Sequence, residues 1–314
     1  GAGDAVFCPS FTFAATPEVI PWTGATPVFV DIRPDTFNLD PDHLAAAIKQ
    51  VAKEGKLTPK VVIAVDLFGQ PADYPRIAEI CREHGLKLIS DSAQGFGCTL
   101  NGKHPLAWAD VATTSFFPAK PLGCYGDGGA VLTNDQGLWD LMDSYRVHGK
   151  AVACDTAGKT FEHDPKYLNM RIGMNSRLDT IQAAVLGVKL HHVDRWLERR
   201  RALAGRYDRA LAGVGDLALP STHVEAEHAH HLYVVRTRER DRLRRFLAGA
   251  GIHAGLHYPI AAHRQPAHAD RFAHESFPIA ERWASEALTL PLSHEHRDDE
   301  IDRVIDAVRR FYGG

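Results

Sequence analysis

This 314-residue chain is short of cysteine and of long apolar runs, and it carries no large excess of charge of either sign. Cys8, Cys81, Cys98, Cys124 and Cys154 are odd in number, and none is spaced as CxxC. That excludes a zinc ribbon and gives no disulfide framework, so a reducing cytoplasm is the expected compartment. No stretch is apolar for long enough to span a bilayer, and the opening residues do not read as a secretory leader, so no membrane partner is expected. A net charge of −3 supplies no field that would gather nucleic acid, and no nucleic-acid partner is expected. The 18 histidines scatter along the chain, and most are expected at the surface. There is no initiating methionine. Gly1 to Pro9 reads as a turn entering a strand rather than a natural start, and an excerpt of a longer protein is expected. What remains is ordinary globular composition, 45% apolar and 24% charged, enough for two domains around sizeable cores.

Strand and helix signals alternate over the first two thirds. Short apolar runs at Thr26–Asp31, Val61–Val65, Leu86–Ser90, Val111–Phe117 and Ala130–Thr133 read as strands. Between them, Pro41–Ala52, Tyr74–His84 and Asp135–Val147 read as helices, the first capped by Asp40 and the second stopped by Gly85. Continuous apolar strands alternating with helices predict an α/β fold with a mostly parallel sheet covered on both faces. Residues 150–175 read as a long functional loop. From Leu178 to Leu211 the pattern predicts one long helical region, its apolar first half buried or at an interface and its basic second half exposed. Beyond it, strands at His231–Arg236 and Ala254–Tyr258 and helices at Arg240–Ala250, Pro278–Ala287 and Asp298–Phe311 predict a smaller α+β domain. The expected division is residues 1–200 and 201–314.

Two strands end in residues that carry chemistry. Leu88-Ile89-Ser90 stops at Asp91. The run Ser115-Phe116-Phe117-Pro118-Ala119 stops at Lys120, ahead of a glycine-rich turn, Gly123-Cys124-Tyr125-Gly126-Asp127-Gly128-Gly129. In a parallel sheet, ligands bind at the carboxyl ends of strands. A lysine and an aspartate placed there suit pyridoxal phosphate, the lysine for its aldehyde and the aspartate for its ring nitrogen. Taken singly, Lys120 reads as a surface charge and Asp91 as a turn residue; it is their joint placement that points to the cofactor. Gln94 would suit the phenolic oxygen, Ser115 the phosphate and Phe13 the ring face, against ordinary readings as a surface amide, a sheet serine and a core aromatic. Asn175 and Arg177 open the long helix as a candidate anion site or a plain cap, and His257-Tyr258-Pro259 stands at a strand end.

The segments Asp91-Ser92-Ala93-Gln94, Ser115 to Gly123, Gly126 to Gly129, Arg146-Val147-His148-Gly149, Asn175 to Asp179 and His257-Tyr258-Pro259 occur in that order. Together they resemble the nucleotide-sugar aminotransferases of the DegT/DnrJ/StrS type across essentially the whole chain. The resemblance implies a fold-type-I aminotransferase, homodimeric with shared active sites, using pyridoxal 5'-phosphate and passing through its pyridoxamine form (PMP). It implies Lys120 as the Schiff-base lysine, Asp91 on the ring nitrogen, Gln94 on the phenolic oxygen, Ser115 on the phosphate and Phe13 over the ring. It places Asn175 at the phosphate of the neighbouring subunit's cofactor, and Arg177, His257 and Tyr258 at that neighbour's substrate. Glutamate is the implied amino donor and a nucleotide-linked keto sugar the acceptor, in polysaccharide, lipopolysaccharide or glycoconjugate synthesis. Pro-Ala-Lys-Pro-Leu-Gly-Cys-Tyr-Gly-Asp-Gly-Gly is most similar to members acting on 3-keto UDP-sugars, with 4-keto sugars as the alternative. The lysine argues against the dehydratase branch, which has histidine there. The family's upstream Ser-Gly-Thr motif, which grips the cofactor phosphate, is not found, so weak cofactor binding by these residues alone is expected. A lyase or desulfurase of the same fold type and a non-catalytic regulatory relative are the rival readings.

Overall fold

The computed structural model describes residues 1–313. Ten strands occur among them: β1 (Asp4–Pro9), β2 (Thr26–Val30), β3 (Thr58–Val65), β4 (Lys87–Asp91), β5 (Thr99–Leu100), β6 (Val111–Ser115), β7 (Gly129–Leu132), β8 (Ala226–Glu227), β9 (Tyr233–Arg236) and β10 (Ala287–Leu290). Six of them form the main sheet in the order β2-β1-β3-β4-β6-β7, parallel except for the antiparallel edge strand β7. The chain steps from β1 outward to β2 and then back across to β3. That reversal opens a crevice at the carboxyl ends of β1 and β3, where open α/β sheets bind ligands.

Local chemistry sets the connecting helices. Pro41–Glu54 begins at Asp40, whose carboxylate accepts from the backbone of Asp42 and His43, and ends at Gly55 with φ 65°. Tyr74–His84 is capped by Asp73 and stops at Gly85 in the left-handed conformation. Both helices pack on the sheet face made by Ala5, Phe7, Val62, Ala64 and Leu88. A further core gathers Leu203, Tyr207, Tyr233, Leu243, Leu288, Ile301 and Val308 around the β9–β10 pair. It is joined to the main sheet by Val234 and Trp283, which pack with Phe11, Phe37 and Phe68.

Three expectations change. The region 178–211 is two helices, Thr180–Leu190 and Val193–Leu211, broken at His191–His192. The basic second helix is buried along one face rather than exposed, while the first keeps apolar side chains open as an interface segment does. Ile181 (71% exposed) and Val188 (66%) lie open on the first, while the basic second helix buries Leu197, Arg200, Leu203 and Tyr207 along one face. The reason is periodicity: its arginines alternate with an apolar stripe at helical spacing, and a stripe decides burial where average composition does not. Residues 254–258 make only a single bridge, Gly255 to Thr289, because the sheet edge they approach is just the four-residue β10. No helix among the described residues is long and apolar enough to cross a membrane.

The segment His228–His231 is buried, against the surface placement expected for most histidines. The rings of His228 and His230 stack 4.0 Å apart, and His228 Nδ1 accepts the His230 backbone N–H, so that nitrogen carries no proton. Arg200 donates to the carbonyls of His230 and His231, and Arg201 to that of His228. Burial holds all three rings below the usual histidine range, His230 down to about 4. In the unfolded chain these rings take up protons near pH 6.5, and in the fold they do not, so falling pH favours the unfolded state. The urea midpoint of the protein is expected to fall as pH drops from about 6.5 towards about 4. The fall should be shallower in His230→Asn, a residue that tolerates the local φ of 46°. Parallel denaturation curves at pH 7 and pH 5 check this.

Candidate active site

Asp91 ends β4, where its backbone pairs with Val65 on one side and Thr113 on the other. Its carboxylate opens on a cavity of about 330 Å³ and is enclosed elsewhere. Oδ2 accepts the Thr16 hydroxyl at 2.8 Å, and Oδ1 accepts the Ala93 N–H at 3.2 Å. Enclosure raises the carboxyl pKa; those two donors and the charge of Lys120 oppose it. Thr16 stands in the first turn of the helix Ala15–Trp22, which springs from the end of β1, and Thr12 Oγ1 lies 3.0 Å from its hydroxyl.

Lys120 lines the same cavity from the loop after β6. A tight turn holds this loop: Lys120 N donates to the Phe117 carbonyl at 2.9 Å, and Gly123 packs so close that a Cβ there would sit 2.5 Å from the Pro118 carbonyl oxygen. Helix Thr180–Leu190 braces the loop from outside. Lys189 Nζ donates to the Gly123 carbonyl and Gln182 accepts the Tyr125 N–H, both at 2.7 Å. Burial lowers the Lys120 pKa, with Asp91 pulling the other way. A lysine so placed is a better nucleophile at neutral pH than one in water.

Gln94 is buried beside the cavity. Its Oε1 accepts the Phe68 N–H at 2.7 Å, which orients the amide, and its Nε2 donates to the Tyr258 hydroxyl at 2.7 Å. Tyr258 lies among Phe11, Phe13 and Phe68, and burial pushes its phenol up to about 12. His257 bonds Thr289 Oγ1 through Nδ1 at 2.8 Å and is held below the usual histidine range by burial and by Lys120. His257 and Tyr258 therefore face this chain's own Lys120 and Gln94. The resemblance gives them to a neighbouring subunit's substrate, whereas within this chain they stand beside Lys120 and Gln94. Phe13 is at the cavity mouth, 54% exposed, its ring 5.8 Å from that of Tyr258.

Three residues are not brought to the cavity. Ser115 accepts the Phe117 N–H at 3.2 Å and lines no part of it. Asn175 and Arg177 lie on an exposed strip tied to residues 146–148 through the Val147–Asn175 bridge. On the other side of Lys120 lies a second cavity of about 770 Å³, walled by Lys189, Arg200, His231, His257 and His294. A separate cleft of about 550 Å³ around Arg33, Asn101 and Ser221 shares no residue with either.

Sequence reasoning missed Thr16, Arg200 and Asp66. Thr16 gives no signal beyond a threonine near a helix start. Arg200 lies on the apolar stripe of its helix. Asp66 follows the apolar run Val61–Val65 just as Asp91 follows Leu88–Ser90, so the cue that singled out one was present for the other.

The cavity fits pyridoxal phosphate. An enclosed carboxylate with acceptor capacity to spare and a partly desolvated amine share one space, with an open aromatic ring at its mouth. The family model described as the DegT/DnrJ/EryC1/StrS aminotransferase family matches residues 1–309. The pleiotropic regulatory protein of Geobacillus stearothermophilus is 42% identical over 99% of this chain and 79% of its own length. The UDP-2-acetamido-2-deoxy-3-oxo-D-glucuronate aminotransferase of Pseudomonas aeruginosa is 40% identical over 98% and 79%. Among solved structures, a DegT DnrJ EryC1 StrS aminotransferase from Brucella abortus superposes with a TM-score of 0.92 at 42% identity, covering 100% of this chain and 81% of that one. The Bacillus subtilis protein ntda, with bound cofactor PMP, superposes at 0.86 with 28% identity over 100% and 69%. The chain thus belongs to the DegT/DnrJ/EryC1/StrS family, and it is a pyridoxal-phosphate-dependent sugar aminotransferase.

Proposed function

We propose that this aminotransferase takes the amino group of L-glutamate and delivers it to the 3-keto carbon of a UDP-linked sugar. It would work in the cytoplasm as a homodimer with shared sites, in polysaccharide or glycoconjugate synthesis. The observation that carries this reading is the position of Lys120 between two cavities, one with Asp91 and one walled by cationic and histidine side chains. The first suits the cofactor and the second an anionic substrate, whether a dicarboxylate or a sugar diphosphate. The 3-keto assignment is supported by the Pseudomonas relative's name and by the wording of residues 118–129.

When bound, pyridoxal phosphate supplies the aldehyde that carries the amino group and the ring that accepts electrons. Lys120 is the residue that would hold that aldehyde. Lys120 Nζ, made less basic by burial, would also be the base that takes the proton from the donor's Cα and the acid that returns one to the acceptor carbon. Asp91, supported by Thr16 and Ala93, keeps a proton on the ring nitrogen. Gln94 and Phe13 would orient the ring; the resemblance gives the phosphate to Ser115, which itself lines no part of this cavity. His257 and Tyr258 contact the sugar in this chain's own site. Asn175 and Arg177, exposed here, serve the phosphate and the substrate of the partner's site. The apolar surface beside them, Ile172, Met174, Ile181 and Val188, supports such a dimer.

Three outcomes test this. Adding L-glutamate should bleach the long-wavelength visible band of the cofactor-loaded enzyme, and Lys120→Ala should show neither band nor bleaching; an unchanged band in that variant would remove Lys120 from its role. Thr16→Val takes a donor from an enclosed carboxylate and should weaken cofactor affinity about tenfold, read by spectroscopic titration. Mixing Lys120→Ala with Arg177→Ala subunits should restore roughly a quarter of wild-type activity, because half the dimers would then hold one intact site of two. No recovery would mean that Arg177 acts in its own subunit.

A further inference from the structure

Behind Asp91, four buried side chains close a ring of oxygen contacts. The Tyr74 hydroxyl donates to Asp66 Oδ1 at 2.7 Å and lies 2.7 Å from Ser90 Oγ. Ser90 Oγ lies 2.8 Å from Ser92 Oγ, and the Ser92 hydroxyl contacts Asp66 Oδ2 at 2.5 Å. Each of these contacts needs a hydrogen, and Tyr74, Ser90 and Ser92 bring one each. If Asp66 is ionised, Tyr74 and Ser92 both spend theirs on the carboxylate. Ser90 can then serve only one of its two neighbours, and the remaining pair of oxygens meets with no hydrogen between. A proton on Asp66 removes the conflict. The acid donates to Ser92, Ser92 to Ser90, Ser90 to Tyr74, and Tyr74 back to Asp66, so every contact is a hydrogen bond.

We propose that Asp66 carries a proton in the working enzyme and, through this ring, is the positioning residue for Asp91. Ser90 and Ser92 are the two sequence neighbours of Asp91, and both are gripped from the face of β4 opposite its carboxylate. The Asp66 N–H also donates to the Asp91 carbonyl at 3.0 Å. Neutrality matters as much as position, because an ionised Asp66 would set a second negative charge beside the one that faces the cavity. The titratable groups facing Asp66 are Asp91 from β4, Tyr74 from its helix and the Cys98 thiol from the loop beyond Gln94. Among the described residues no lysine or arginine bonds it. Burial pushes its carboxyl up to about 7, against the pull of Ser92, Tyr74 and the Ala72 N–H. Gly95 leaves the acid its room: a Cβ there would stand 2.6 Å from that of Asp66.

The positioning half of the proposal rests on Asp91 meeting the cofactor, and the protonation half does not. Infrared difference spectra of the holoenzyme, wild type minus Asp66→Asn, test the protonation. At pH 6 they should show the carbonyl stretch of a protonated carboxylic acid, fading as pH rises through about 7. In Ser90→Ala the ring is open and three hydrogens no longer face four contacts, so the band should fade at lower pH. Asn can both donate and accept, so Asp66→Asn should keep the cofactor dissociation constant within roughly threefold of wild type, while Asp66→Leu weakens it at least about tenfold. No carboxylic-acid band at pH 6 overturns the protonation. Equal cofactor affinities for the Asn and Leu variants overturn the positioning role. If the Leu variant does not fold, Ser90→Ala carries the affinity test, with a loss expected and an unchanged constant overturning it. Failure of the cofactor reading itself would show as no binding to wild type, with the infrared band unaffected.

Discussion

The site depends on keeping a carboxylate and an amine out of water at the ends of neighbouring strands. Enclosure drives each towards its neutral form, and each opposes that drive in the other. The balance holds only if both stand at one cavity, which requires β4 and β6 to lie side by side. It also requires Asp91, not a neighbour, to turn towards the crevice. A slip of one residue in the pairing of Asp91 with Val65 and Thr113 would present a serine instead and bury the aspartate behind the sheet.

The second core completes this arrangement from outside the sheet. Tyr258 meets Gln94 and Phe13, so two residues that line the cavity are held from behind by a segment more than 160 positions beyond Gln94 in the chain. The helix Val193–Leu211 ties the two parts together. Arg200 is buried with its guanidinium on the carbonyls of His230, His231 and Leu292, which fixes the segment leading into β9 against the one leaving β10. A cation spent on three carbonyls is a structural clasp, and it adds to the apolar stripe that turns this strongly basic helix inward.

The sheet, most helix limits and the Asp91–Lys120 pair were legible because they rest on local rules: apolar runs, caps and polar residues that end a strand. Asp40 and Gly55 frame a helix through their own backbone geometry, wherever the rest of the chain lies. Thr16 and the Gln94–Tyr258 bond were not legible, since their meaning arises only when distant segments meet. The helix 193–211 was misjudged because its charge was weighed without its period. Residues 254–258 alternate as a strand would, yet the edge beside them is too short to accept one. The division at residue 200 rests on the change of strand-and-helix pattern beyond the long helical region, and a separate core gathers side chains from Leu203 onward.

The two reactive groups stand on ground of different stiffness. Asp91 sits in a strand hydrogen-bonded on both sides within the parallel interior of the sheet. Lys120 belongs to a loop beyond β6, next to an edge strand whose outer face is half exposed at Val131. Opening free energies are highest in central strands and lowest towards edges and loops. A transaminase asks its lysine to let go and return in every cycle, while its counter-charge must stay still. The fold assigns the mobile task to its margin and the stationary one to its middle.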